Sequence, residues 1–300
     1  MSTAEKMASA LVSPGSDLQD DLTGAGAKLN QLGDYRLKAE PNGVRLVDFL
    51  GATVAAFDSS KIKFYSMDDI DFAVIADVKP SVDINTVIHL AKGPATEKLV
   101  GWLGKLDYVS FGYWAQVWDF QGTFDGVPFK GSFVEEAGVF FNGRKANYVT
   151  SLENSRFTGL AAGIAEFSEV SKNFPDDSET DIKGSVIPLL GKATLDIKNA
   201  MNGALTLEFP GFYKFTGLVD NINTSGFISG AFTELTKLGS GFPVDLPATM
   251  GDYNLNRIRG QLYGADPNTP SEAAGVWRLD RESTNRQIYI GGVFGVKKQP

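Results

Sequence analysis

The chain has 300 residues and a formal net charge of −8, with 43% hydrophobic and 21% charged residues. This balance is typical of a globular protein, and the length allows one large or two ordinary domains. The negative charge argues against a nucleic-acid partner, because the chain has no excess of basic side chains to neutralise a phosphate backbone. The chain has no cysteine and one histidine, His89, which excludes disulfides, thiolate catalysis and zinc–cysteine sites.

The N-terminal residues 1–33 are polar and rich in small residues. Leu18, Leu22, Ala25 and Leu29 lie at helical spacing, which favours a short amphipathic helix in this arm. Neither a run of eighteen apolar residues nor the apolar core of a signal peptide occurs. Short β-like segments follow at residues 35–38, 44–47, 61–65 and 71–75.

The middle of the chain predicts mixed structure. Residues 96–106 favour a helical turn, because Leu99, Trp102 and Leu103 would share one face. Residues 107–114 predict a strongly aromatic strand, and residues 120–154 predict glycine-punctuated loops with short strands. The change of pattern near residues 148–155 predicts a domain boundary.

The last forty residues give the clearest fold signal. Three runs there alternate between outward polar and inward apolar positions and contain glycine: residues 257–264, 273–277 and 288–295. This period of two predicts half-buried strands of a closed antiparallel sheet, with glycines at the points where strands bend. Phe294 is predicted to be a core residue. The acidic segment 173–181 predicts a solvated, mobile loop rather than a site.

The acidic pairs give no catalytic signal. Adjacent acids on a strand point to opposite faces, so none of the pairs at positions 68–69, 135–136 and 176–177 forms an acid/base dyad. No nucleophile elbow, phosphate-binding loop or dinucleotide fingerprint occurs either. The sequence therefore predicts that the protein is not an enzyme.

Seven segments, taken in order, resemble the transferrin-binding-protein-B-like barrel family. The resemblance covers residues 107–297, and residues 1–106 contain no matching motif. The segments are Tyr-Val-Ser-Phe-Gly-Tyr-Trp at 108–114, Phe-Phe-Asn-Gly-Arg at 140–144, Arg-Phe-Thr-Gly-Leu-Ala-Ala-Gly at 156–163, Gly-Phe-Ile-Ser-Gly-Ala-Phe at 226–232, Gly-Gln-Leu-Tyr-Gly at 260–264, Glu-Ala-Ala-Gly-Val-Trp at 272–277 and Gly-Val-Phe-Gly at 292–295.

The resemblance implies a mainly β fold, with an N-terminal mixed handle domain followed by a C-terminal eight-stranded antiparallel β-barrel. We assign residues 34–150 to the handle and residues 151–300 to the barrel. It further implies a lipoprotein at the cell surface, held to the outer membrane by a lipid anchor. An outer-membrane translocator barrel is the implied export partner. The anchor cysteine is absent from this chain and is expected upstream of it.

Proteins of this family bind transferrin, haem, haem proteins or complement factors, and some act in host colonisation. The resemblance therefore implies that this chain binds a host-derived ligand or partner during colonisation or nutrient acquisition. The chain holds one handle–barrel unit rather than paired lobes, which departs from the full transferrin receptor. A structural or adhesive surface protein would have the same sequence pattern, and an enzyme is the remote alternative.

Haem is the one cofactor that the residues suggest. Haemophilin-like relatives capture haem in the handle, and His89 is the one imidazole available as an iron ligand. The alternative is a surface or structural histidine. Tyr65, Met67, Tyr108 and Tyr113 are further possible ligands, although such aromatic residues more often belong to a core.

A second site hypothesis concerns the aromatic strand. Tyr108, Tyr113 and Trp114 could anchor a protein partner, because tyrosine and tryptophan dominate binding hot spots. The alternative is that they pack between handle and barrel. Because family members share the barrel and differ in ligand, specificity is predicted in the handle, especially in residues 61–94.

Overall fold

A computed structural model describes residues 36–40, 43–47, 53–67, 70–83, 91–172, 179–241, 245–283 and 286–300. In these residues the regular structure consists of strands and short 3-10 turns. The strands are β1 (Arg36–Glu40), β2 (Gly43–Val47), β3 (Thr53–Asp58), β4 (Ile62–Met67), β5 (Ile70–Val78), β6 (Val82–Asp83), β7 (Ala91–Lys92), β8 (Pro94–Lys105), β9 (Val109–Phe124), β10 (Val127–Gly143), β11 (Ser155–Lys172), β12 (Glu179–Asn199), β13 (Asn202–Glu208), β14 (Tyr213–Ile222), β15 (Phe227–Lys237), β16 (Leu255–Gly264), β17 (Pro270–Ser283) and β18 (Arg286–Lys298).

The last eight strands form a closed barrel. Each strand from β12 to β18 pairs antiparallel with the next, and β11 pairs antiparallel with both β18 and β12, which closes the ring. Closure leaves no free edge along these paired segments. The predicted mainly β fold with an eight-stranded antiparallel barrel is confirmed.

An aromatic cluster fills the barrel interior. Trp277 lies at its centre, with its ring 5.4 Å from Phe209 and 5.6 Å from Phe215. Small barrels of eight strands are filled by side chains in this way. The other aromatic residues of the interior are Phe157, Phe167, Phe212, Tyr213, Phe232, Tyr253 and Phe294.

Two glycines make room for the fully buried ring of Phe294. Gly275 pairs with Phe294 on one side and with Gly260 on the other. A Cβ atom would lie 2.7 Å from this ring at Gly275 and 3.3 Å from it at Gly260. The structure thus gives these glycines the role of accommodating a ring, and the role in bending the strands stays a prediction.

The handle strands continue the sheet of the barrel in the order β10, β9, β8, β5 and β4, with the short β6 and β7 alongside. They pair antiparallel with one another, and a short parallel pairing of β10 with β12, from Phe129 opposite Ile182 to Gly131 opposite Gly184, joins them to the barrel. Strands β1 to β3 form a separate three-stranded sheet. The helix predicted at residues 96–106 is wrong, because β8 occupies this segment and pairs with both β5 and β9. Side chains on both faces of β8 are buried, so Leu99, Trp102 and Leu103 mimic a helical pattern.

The loops predicted at residues 120–154 are also wrong for most of that range. β9 and β10 instead form a long hairpin whose two-residue turn is Asp125–Gly126. Both turn residues have positive φ, +49° for Asp125 and +82° for Gly126, as the turns favoured in such hairpins require. Residues 144–149 then form the connection that follows the handle sheet.

Several predicted features fall where the structure gives no description. The arm at residues 1–33 and its helix lie outside the described residues, as do His89 and positions 173–178 of the acidic segment. Within the residues that the structure does describe, no helix has the length and apolar character needed to cross a membrane.

The division between handle and barrel remains a prediction with a direct test. We expect a fragment of residues 155–300 to fold cooperatively alone, because the ring of strands and its aromatic interior lie entirely within it. Circular dichroism and proton NMR of the fragment would check this, and a disordered fragment would contradict it. The fragment should also bind a hydrophobic dye, because the outer wall of its barrel is no longer covered by the handle.

Candidate functional site

The handle lies on the outer wall of the barrel. Strand β9 contacts β18, β17 and β11, and one hydrophobic cluster joins the two parts. The handle contributes Val109, Phe111, Tyr113, Ala115 and Val117 from alternate positions of β9, and the barrel contributes Leu160, Ala162, Ile164, Ala274, Val276, Tyr289 and Val293. Outward barrel positions are thus apolar where the handle covers them.

The predicted aromatic anchor lies mostly inside this packing. Tyr113 is 6% exposed and Trp114 is 2% exposed, whereas Tyr108 is half-buried. Burial also raises the pKa of Tyr113. The geometry supports the packing alternative for Tyr113, which belongs to the cluster between handle and barrel.

Trp114 points to the other side of the handle sheet, because neighbours on a strand face opposite ways. It lies between two glycines, pairing with Gly101 on β8 and with Gly138 on β10. A Cβ atom at Gly138 would lie 2.5 Å from the indole nitrogen of Trp114. The glycines therefore provide the space that lets this large side chain lie buried within the sheet.

A buried carboxylate fixes one end of the handle to the barrel. Glu272 on β17 has no exposed surface, and its two oxygens accept hydrogen bonds from the backbone N–H groups of Asp107 and Tyr108, each at 2.8 Å. These two residues form the turn between β8 and β9. Lys297 on β18 pairs with the Asp107 carboxylate beside them.

A second buried carboxylate acts at the other end of the same interface. Glu166 on β11 is 3% exposed and accepts a hydrogen bond of 3.0 Å from the backbone N–H of Val134 on β10. The pairing of β10 with β9 is irregular between Val134 and Glu136, so a side chain from outside the pair satisfies this N–H group. The interface therefore has an apolar centre and a carboxylate at each end.

Two charged residues of β17, which is separated from β11 by β18, are buried in the same wall. Arg278 and Asp280 are 1% and 5% exposed, and the Nε of Arg278 donates a hydrogen bond of 2.8 Å to Asp280. Burial raises the pKa of Asp280, although the hydrogen bond and charge of Arg278 lower it. Pairing and hydrogen bonding are what allow such charges to lie in an interior.

Glu272 gives the interface a pH dependence. Burial raises the pKa of Glu272 above its ordinary 4.5, although the hydrogen bonds from Tyr108 and Asp107 lower it. The folded protein thus holds this proton more tightly than the unfolded chain. Stability from this group is complete below pH 4.5 and is lost as the pH rises through the raised pKa.

We therefore expect the free energy of unfolding to fall across this window less steeply in Glu272→Gln than in the unmodified protein. Urea denaturation of both proteins at a series of pH values checks this. Asp280 titrates in both proteins, so its effect cancels in the difference. A difference between the two proteins that does not change with pH would contradict the assignment to Glu272.

The described residues do not provide a set of ligands for haem iron. His89 lies outside the described residues, in the segment that begins after β6 and ends before β7. Of the other suggested ligands, Tyr65 is 48% exposed and Met67 packs against the cluster between handle and barrel. Across the described residues, no group of three or more metal-binding side chains occurs.

Exposed apolar side chains mark another part of the handle. Among the described residues, Tyr65, Val78 and Val82 are 48%, 55% and 42% exposed, and all three lie within the predicted segment 61–94. Val78 and Val82 lie beside the first half of β8, where they pair with Lys98 and Ala95. Because these two partners are three residues apart on the strand, Val78 and Val82 point to opposite faces of the sheet. Among the described residues of the barrel, the exposed large apolar side chains are Leu190, Met201, Leu218 and Leu238.

Comparison with known proteins gives similarity to solved structures alone. No family model and no curated protein matches the sequence. The structure of intact Ap-TbpB, with its N and C lobes, is similar at 15% sequence identity and a TM-score of 0.33. The similarity covers 90% of this chain and 43% of that one, so this chain spans less than half its length.

Proposed function

We propose that the protein is a surface-exposed outer-membrane lipoprotein that binds a host-derived partner through its handle. The observation that carries this proposal is the exposure of two apolar side chains, Val78 and Val82, along one end of β8, one on each face of a handle that hydrogen bonds hold to the barrel. Exposed apolar side chains on an element that is already held in place suit recognition, because little ordering is required on binding. The seven sequence segments, which occur in the order seen in the transferrin-binding-protein-B-like family, support the location at the outer-membrane surface and export by a translocator barrel.

Binding by the handle also agrees with the way in which the barrel is filled and covered. Its interior is filled by aromatic side chains, and its outer wall at β11, β17 and β18 is covered by the handle. A binding role, and not catalysis, is what we propose for the chain.

Two matched pairs of substitutions test where the partner binds. We expect Val78→Asp with Val82→Asp to lower capture of plasma proteins by the immobilised chain at least about tenfold, because a desolvated carboxylate opposes apolar contact. Leu190→Asp with Leu218→Asp is the control, since these side chains are 40% and 45% exposed on the barrel. Quantitative mass spectrometry of the captured proteins gives the measurement.

The opposite pattern would reject a handle site. If the barrel pair abolished capture and the handle pair did not, the binding surface would belong to the barrel. Exchange of barrel loops between relatives that transferred the binding phenotype would lead to the same conclusion. Antibody labelling of intact cells shows whether each variant still reaches the surface.

Haem capture through His89 is the second candidate. It is favoured by the position of this residue in the segment between β6 and β7, within the predicted binding segment. Titration with haemin, followed by the Soret band, tests it. A Soret shift that disappears in His89→Ala supports an iron–imidazole bond, and the absence of any shift rejects haem as ligand.

A further inference from the structure

Strand β4 is the edge of the handle sheet among the described strands. Strand β4 pairs with β5 in an unbroken register from Ile62 opposite Ile75 to Met67 opposite Ile70. In the described part of the chain no strand pairs with its other edge. Half of its backbone N–H and C=O groups therefore point towards that edge, and neither a proline nor a bulge interrupts them.

A row of stacked rings holds the exposed side chain of this strand. Tyr65 stacks on Phe72 at 5.4 Å, Phe72 stacks on Trp102 at 5.5 Å, and Trp102 lies 5.3 Å from Phe111. Phe111 in turn rests on the barrel at Gly295, where a Cβ atom would lie 2.1 Å from its ring.

This row leaves only its outer end accessible. Tyr65 is 48% exposed, whereas the other three rings are at most 5% exposed. Tyr65 is thus an accessible ring whose position is fixed by packing that reaches the barrel. Rigid aromatic side chains of this kind are frequent hot spots, because little side-chain entropy is lost when they bind.

The charge along the strand indicates what the edge binds. Lys63 and Tyr65 point to the same face, two residues apart, and Lys63 is exposed. Lys61 lies next along this side and has one ion pair, with Asp77 at 3.6 Å. Lysines on an edge strand disfavour pairing with a second copy of the same strand and favour an acidic residue opposite.

We infer that β4 binds an extended segment of a partner protein by strand addition. The partner segment carries an acidic residue opposite Lys63 and an aromatic residue opposite Tyr65, which places these two residues of the partner two positions apart. Main-chain hydrogen bonds provide the attachment, and the two side chains provide the selectivity. This inference rests on the proposed function, because it names how the handle contacts its partner.

The test uses a synthetic peptide and the full chain labelled with nitrogen-15. The probe is the capped peptide Thr-Thr-Val-Phe-Thr-Glu-Val-Thr-Thr, titrated to about 1 mM, which is the weak end of specific binding. We expect amide shifts confined to β4 and to its neighbours in the aromatic row. Tyr65→Ala and Lys63→Glu should each weaken binding about tenfold, whereas Lys192→Glu, an exposed lysine on the barrel, should leave it unchanged.

Two controls separate strand addition from contact by side chains alone. A peptide methylated at alternate backbone nitrogens should lose binding, since it cannot donate the ladder hydrogen bonds. A peptide with lysine in place of glutamate should bind Lys63→Glu better than it binds the unmodified protein. Equal binding of the methylated peptide, shifts located elsewhere, or no shifts at about 1 mM would each overturn the inference.

The two proposals fail in different experiments. Full plasma capture by the Val78 and Val82 double variant rejects the proposed handle site, whatever the peptide does. A failed peptide titration, together with capture that depends on Val78 and Val82, rejects only strand addition at β4.

Discussion

Phe294→Ala is expected to lower the free energy of unfolding by about 3–5 kcal/mol. Phe294 is completely buried, and its ring lies across Gly275 on the adjacent strand β17 and Gly260 on β16 beyond it. Glycines have no side chain that could move into the space, so the truncation leaves a cavity in the barrel interior. Urea denaturation followed by tryptophan fluorescence gives the measurement.

An exposed residue of the same barrel serves as the control. Leu218 on β14 is 45% exposed, and Leu218→Ala should change the free energy of unfolding by less than about 0.5 kcal/mol. A loss below about 1 kcal/mol for Phe294→Ala would mean that the barrel interior collapses around the missing ring, contrary to the rigid packing described above.

The barrel was the part of the fold that the sequence predicted well. Strands such as β13 and β14 have one covered face, so inward apolar and outward polar residues alternate there, and that pattern is visible without a structure. In β17 and β18 both faces are buried where the handle covers the barrel, so the outward polar positions predicted at residues 273–277 and 288–295 are wrong, although both segments are strands. The handle was harder to predict, because both faces of β8 and β9 are covered. Leu99, Trp102 and Leu103 are all buried there, and a continuous apolar run fits a helix or a strand equally well.

One local signal for the handle was present in the sequence. Asp125 and Gly126 stand between two runs of strand-forming residues, and an Asp-Gly pair with positive φ is a typical two-residue hairpin turn. That turn predicts the β9–β10 hairpin. The aromatic content of residues 108–114 gave no such guidance, because exposure of Tyr113 and Trp114 depends on which surfaces cover the sheet.

The carboxylates at the interface were not found from sequence reasoning. Glu166 and Glu272 occupy outward positions of β11 and β17, where an acidic residue normally faces water. Each follows or precedes a run of small and apolar residues, Ile164–Ala165 in one case and Ala273–Ala274 in the other. An outward acid at the end of an outward apolar row is the signal that could have indicated a covered wall with polar ends.

Glu272→Ala is expected to lower the free energy of unfolding by about 2–5 kcal/mol. The substitution removes the acceptor of two backbone N–H groups, those of Asp107 and Tyr108, and each unsatisfied buried donor costs about 1–3 kcal/mol. Glu208→Ala is the matched control, because Glu208 is an exposed carboxylate on β13 and should change stability by less than about 0.5 kcal/mol.

The same substitution in the fragment of residues 155–300 locates the effect. Asp107 and Tyr108 are missing from that fragment, so Glu272 has no amide partners there and Glu272→Ala should be nearly neutral. An equal loss in the fragment and in the full chain would show that Glu272 stabilises the barrel itself. A loss confined to the full chain measures the attachment of the handle, and it is this attachment that holds the aromatic row and the exposed Tyr65 in a fixed position for binding.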